Sequence, residues 1–230
     1  MGNLSRWATE FIQRLASKSH VDCCFWEYSH IRGVDDILNS RTKAFLIALR
    51  HLNFEQITKI CLDMRVCHGT LFKSLTPSGL EYYAGHYRGE NFRCLIGYEI
   101  GVRGDTAVGH TPATVPMEME EFKVKIGEVF SDLDHSWSLN EIVFSKQDKL
   151  YKTIRLTAAL FVYFLEIHPF ANGNGHMARF LLISVMAKFN IYPSKFSIHP
   201  RPPDPAYTAC IKAYRAGNRA LLERFVLDLI

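Results

Sequence analysis

Residues Ile154 to Ile167 are apolar almost all round, and this segment most restricts what the chain can become. A surface helix shows one apolar stripe and one polar face, so a helix apolar on every side must be enclosed by other elements. No apolar run in the chain reaches membrane-spanning length, so the segment predicts a central helix buried inside a helical bundle. His168-Pro169 ends it, because the residue before a proline is pushed out of helical geometry.

Other segments read as partners for that helix. Trp7, Phe11, Ile12 and Leu15 recur at helical spacing and predict a helix over about Leu4–Lys18, and further helical patterns cover Val34–Leu52 and Phe54–Cys67. Thr76-Pro77-Ser78-Gly79 marks a loop. Between Gly79 and Pro116, Phe92, Cys94, Ile96 and Tyr98 alternate with polar or small residues and predict a short β-hairpin or flap. The helical period returns from Glu118, and Ser138 with Glu141 forms a capping-box signature for another segment. Met177, Phe180, Leu181, Val185 and Met186 form one more stripe up to about Phe189. Arg201-Pro202-Pro203-Asp204-Pro205 then makes a rigid connection, with Asp204 as a cap, to final helices over Tyr207–Tyr214 and Leu221–Leu229. The expected fold is all-α with a short β-hairpin flap. With 230 residues and no break in composition, it is expected as a single domain over 1–230.

Composition excludes several classes of function. The chain is 48% hydrophobic and 22% charged, which is globular rather than disordered. Its formal net charge is +4 and no dense Lys/Arg run interleaves with aromatics, so a nucleic-acid groove is not expected. Cys23, Cys24, Cys61, Cys67, Cys94 and Cys210 lack CxxC spacing, which points to reduced, packed thiols rather than a zinc site or a disulfide framework. Arg6, Glu10 and Arg14 interrupt the first residues, and Arg6 stands where a myristoylation signal needs Ser or Thr. A cytoplasmic protein without a membrane partner is therefore expected.

The chemistry concentrates in His168-Pro-Phe-Ala-Asn-Gly-Asn-Gly-His-Met-Ala-Arg179, a polar, flexible stretch between two apolar segments. Gly173, Asn174 and Gly175 open the following helix and can turn backbone N–H groups toward an anion, the usual seat of a phosphate. His168 is a base beside that seat, Asn174 can orient the anion through its amide, and Arg179, one turn into the helix, can neutralise outer phosphates. A His-Pro turn or a Gly-Asn-Gly turn alone is usually packing. Their combination within one short loop is far more specific.

This stretch resembles the signature of the Fic (Fido) family, His-x-Phe-x-(Asp/Glu)-Gly-Asn-Gly-Arg-x-x-Arg, in which His168, Phe170, Gly173, Asn174, Gly175 and Arg179 match. Ala84-Gly85-His86-Tyr87-Arg88 is similar to the Gly-x-Tyr-Arg segment leading into that family's flap. Tyr207 through Gly217-Asn218 to Phe225 is similar to its C-terminal region. The likeness spans about Thr76 to Ile230. It implies an all-helical bundle with a β-hairpin flap and transfer of AMP from ATP, with Mg²⁺, to a Ser, Thr or Tyr hydroxyl of a target protein. His168 is then the general base, Phe170 a buried anchor, Gly173, Asn174 and Gly175 the anion hole, and Arg179 the contact to the terminal phosphate. Tyr207 lies against the nucleoside, and Val102–Thr114 forms the flap.

The chain departs from this pattern at three positions. Asn172 replaces the carboxylate that helps hold Mg²⁺, and a neutral amide is a weaker ligand for a hard cation. His176 replaces the first arginine, so phosphate binding is expected to weaken or become pH-dependent. Arg215 falls where many members carry an amide facing adenine, which opens the choice of base. Gly175 argues against the Doc-like branch, which has a lysine there. No inhibitory Ser/Thr-x-x-x-Glu-Gly/Asn motif is found, so inhibition is expected from a partner protein or from a contact at Arg179. The alternatives to AMP transfer are a catalytically weak nucleotide- or protein-binding regulator and a related transferase using another donor.

Overall fold

The computed structural model describes residues 23–101, 105 and 107–230. The helix expected over Leu4–Lys18, and part of the flap, lie outside them. The described residues form eight α-helices: α1 (Val34–Leu49), α2 (Phe54–Leu62), α3 (Arg65–Leu71), α4 (Val115–Ser138), α5 (Lys146–Ile167), α6 (Asn174–Ala187), α7 (Ala206–Arg215) and α8 (Ala220–Leu227). The fold is all-α, as the periodicity predicts.

Helix α5 is the axis of the bundle. It packs against α4, α6, α7 and α8, and Ile154, Ala158, Phe161, Phe164 and Ile167 are each no more than 1% exposed. Helix α6 is buried from Met177 to Ala187, so the site loop connects the two most enclosed helices of the fold. The helix expected over Phe54–Cys67 breaks at Asp63: α2 opens on a capping box between Asn53 and Gln56, and α3 restarts at Arg65, whose N–H and guanidinium both bond the Asp63 carboxylate.

Three expectations are corrected. The Ser138–Glu141 signature starts no helix: Ser138 Oγ donates to His135 O and closes α4, while Ser145 caps α5 by accepting from Asp148 N at 3.1 Å. The alternation from Phe92 to Tyr98 is not a strand. Leu95 N and Ile96 N both bond Phe92 O, and burial falls on Cys94, Leu95 and Tyr98 while Ile96 is exposed, so successive turns rather than a two-residue pleat turn side chains inward. Nor are all the cysteines free. Cys23 and Cys94 form a disulfide across 71 residues, with Cα atoms 5.3 Å apart, and leave Cys24, Cys61, Cys67 and Cys210 unpaired. No spacing rule reveals a pairing over that separation. Closing so long a loop stabilises a fold by about 4 kcal/mol, and such bonds persist mainly in oxidising compartments, which weighs against the cytoplasmic expectation.

No helix among the described residues is long and apolar enough to cross a membrane.

Candidate active site

The loop from α5 to α6 begins with a strained residue. His168 adopts a left-handed conformation (φ 52°), which costs a non-glycine residue about 1 kcal/mol. Its backbone is held on both sides: His168 N donates to Phe164 O at 3.0 Å, and Arg88 Nε donates to His168 O at 2.8 Å. Arg88 is fully buried, and its other guanidinium nitrogens donate to Tyr98 O, His110 O and Ile167 O, each at 3.0 Å. Desolvation lowers its pKa to about 10, so it stays a cation, held by carbonyl dipoles instead of a carboxylate.

The imidazole of His168 is fixed as well. Nδ1 lies 2.5 Å from Leu165 O, and a carbonyl only accepts, so Nδ1 carries the proton and Nε2 keeps its lone pair. Burial lowers the pKa to about 4, outweighing the hydrogen bond to Leu165, so the ring is a neutral acceptor at physiological pH.

The rest of the loop is braced by groups that act on its backbone. Asn174 is buried, and its amide accepts from Phe170 N and donates to Phe170 O, both at 2.8 Å. Its side chain therefore shapes the loop backbone. Phe170 is fully buried and stacks on His68 with ring centroids 3.7 Å apart, matching the anchor role the resemblance implies. His68 accepts from Gly85 N at Nδ1 and donates through Nε2 to Asn172 O, tying α3 and the Gly85–Arg88 segment to the loop.

Gly173 has φ 78°, and a Cβ there would lie 2.3 Å from the Phe72 ring. Gly173→Ala is expected to cost at least about 2 kcal/mol, read by thermal unfolding, because both the left-handed backbone and the ring contact exclude a methyl group. A wild-type melting temperature would show that Phe72 simply moves aside.

His168, Asn172, Gly173, Asn174, Gly175, His176, Arg179 and Tyr207 all line one pocket of about 600 Å³, while Phe170 does not. At its floor is the N-terminus of α6. Gly173 N is taken by Asn172 Oδ1 at 2.7 Å, so the amides left for an anion are those of Asn174 and Gly175, which have no hydrogen-bond partner among the described residues. Arg179 Nη1 lies 3.2 Å from where a Gly175 Cβ would be, so the guanidinium sits directly against this helix end. Arg179 is 3% exposed and donates through Nε to Ile198 O at 2.8 Å, yet no carboxylate among the described residues pairs with it, and burial lowers its pKa. The Tyr207 hydroxyl is also buried and lies against the Arg179 guanidinium, with Arg201 stacked over its ring at 5.6 Å. A buried cation without a carboxylate and two open amides in one pocket form a place for an anion.

Asn172, where the resemblance implies a ligand for Mg²⁺, has its amide engaged elsewhere. Asn172 Nδ2 donates to Trp26 O at 2.6 Å and Oδ1 already accepts from Gly173 N, so this amide is committed to the backbone. No cluster of three or more His, Cys, Asp or Glu among the described residues could hold a metal ion. Arg215 lines the pocket paired with Asp105 at 2.5 Å and with Glu166 at 3.5 Å.

The Fic/DOC family model matches residues 62–186, more than half of the chain, and the chain belongs to that family. No curated protein matches it. Sequence reasoning missed Trp26, Asp35, His68 and His199 and took Arg88 only as part of a motif. None of these carries a periodic or spaced signal, because each acts through a contact with a segment distant in the chain.

Proposed function

We propose that the chain is a nucleotidyltransferase acting on protein hydroxyls, with AMP transfer from ATP as the leading reading. The observation that carries it is Arg179: a buried guanidinium with no carboxylate partner, held against two open amides at the start of α6, in the pocket that also contains His168. A neutral His168 with a free Nε2 is suited to accept a proton from a Ser, Thr or Tyr hydroxyl. The hydroxyl oxygen forms a bond to the α-phosphorus, the bond from that phosphorus to the bridging oxygen breaks, pyrophosphate leaves with the bonding pair, and the hydroxyl proton ends on Nε2. The amides of Asn174 and Gly175 and the Arg179 guanidinium stabilise charge on the phosphate oxygens. Arg179 is equally open to an inhibitory carboxylate brought by a partner protein.

Incubating the chain and a cell lysate with each of the common nucleoside triphosphates in turn, then weighing the labelled proteins, tests this reading. A mass increment of one nucleoside monophosphate supports it and identifies the base. Tight nucleotide binding without any increment favours the regulator, which the altered Asn172 and His176 positions make the second reading.

Arg179→Met separates binding from folding. Losing charge-assisted bonds to phosphate is expected to weaken nucleotide binding about a hundredfold. The melting temperature should hold or rise, because an unpaired buried charge is exchanged for an apolar side chain of similar length. Calorimetry and thermal unfolding on the same samples read both effects, and a large loss of stability would mean that Arg179 is structural.

A further inference from the structure

His176 lines the pocket beside Arg179, and it is the inner end of a chain of hydrogen bonds reaching the surface. Its Nε2 lies 3.0 Å from His199 Nδ1, with the two rings within 19° of coplanar. His199 Nε2 lies 3.2 Å from Asp35 Oδ1 on α1, a carboxylate whose side chain is 81% exposed. The protons in this chain are assigned by its outer end. A carboxylate only accepts, so His199 carries its proton on Nε2. A neutral His199 then accepts at Nδ1, and His176 must donate from Nε2. His176 Nδ1 is left as a bare lone pair with no hydrogen-bond partner among the described residues. Toward a phosphate oxygen that lone pair is repulsive, where a fixed arginine would donate.

We infer that His176, His199 and Asp35 make anion binding in this pocket proton-coupled, with one proton taken up for each phosphoanion bound; this rests on the anion-binding reading of the site given above. A proton taken up from bulk solvent adds to His176 Nδ1, the proton on His176 Nε2 passes to His199 Nδ1, and the positive charge settles on His199 beside the Asp35 carboxylate. His176 ends neutral, with a donor at Nδ1 for the anion. The groups around the pair set the direction of the response. Arg179 and His68 oppose the extra proton, Asp35 favours it, and the rings of Tyr28 and Phe72 wall off His176. Without an anion the desolvated pair therefore stays neutral, consistent with burial lowering the pKa of both rings. A bound phosphoanion adds the negative charge that reverses the balance. The result is a site whose affinity rises as pH falls, which an arginine cannot provide.

Imidazole ¹⁵N NMR on the full chain at pH 7.5, titrated with inorganic pyrophosphate, reads the proton directly. In the free protein both rings should show the neutral pattern with the proton on Nε2. At saturation the Asn174 and Gly175 amides should shift and the His199 ring should take the imidazolium pattern. Asp35→Asn, on the exposed side of α1, should weaken pyrophosphate binding about tenfold at this pH and suppress the imidazolium signal. Shifted amides with both rings neutral would overturn the proton coupling and leave the anion site standing. Silence of amides and rings together at millimolar pyrophosphate would overturn the anion site as well.

Discussion

Replacing His168 by alanine is expected to lower the proposed nucleotide transfer by about 10²- to 10⁴-fold, the usual contribution of a general base, while nucleotide affinity changes by less than about threefold. The split follows from the division of labour proposed for the pocket, in which the α6 N-terminus and Arg179 hold the anion and His168 Nε2 takes the proton of the incoming hydroxyl. Single-turnover labelling beside calorimetry measures both quantities, and undiminished labelling by the variant would remove His168 from the mechanism. The pH profile follows from the same burial. With its pKa held near 4 in the nucleotide-free protein, His168 is already neutral well below pH 6, so no rise in pH is needed to free the base before nucleotide binds. Stability behaves differently. In the unfolded chain the ring takes a proton near pH 6.5, whereas in the folded chain it does so only near pH 4, so stability present at neutral pH shrinks as pH falls through that window. His68 and His176, lowered to about 3 and about 2, act in the same direction.

Arg88→Ala is expected to destabilise the fold by at least about 3 kcal/mol and to lower the melting temperature by about 6–12 °C. Four backbone carbonyls, at Tyr98, His110, Ile167 and His168, lose their donor in a region closed to solvent, and the side chain leaves a void. Arg88→Lys should not rescue it, since one ammonium group with three donors cannot reproduce a planar fork that spans four acceptors. Urea unfolding of both variants checks this. A loss below about 1 kcal/mol would mean that water enters and replaces the guanidinium. Transfer should fall along with stability, because Arg88 helps hold His168 in its left-handed conformation.

Much of this site is legible in the chain because it is local. The apolar run from Ile154 to Ile167, the proline after His168 and the glycines before α6 lie within one stretch, so their helix–loop–helix meaning follows from spacing alone. What the spacing misses is what the polar atoms do. Asn174 has the composition of an anion ligand and proves to be a brace, because its amide meets the Phe170 backbone four residues earlier. Asn172, read as a weak metal ligand, is committed to Trp26, from a strap more than a hundred residues away. Phe92 to Tyr98 alternates like a strand, but its backbone hydrogen bonds form local turns, and a disulfide to Cys23 ties it down.

By itself the sequence determined the helical architecture, the buried axis of the bundle, the position of His168 at its end and the glycine-rich turn beside it. These follow from side-chain period and backbone stereochemistry, which act over a few residues. The tertiary structure decided which of those polar groups are free. Whether Nε2 of His168 is open, whether Arg179 has a counter-ion and whether His176 stands alone or at the end of a chain to Asp35 depend on partners brought together by packing. Burial makes each of those pairings energetically decisive, since a desolvated group without a partner must find one in a ligand.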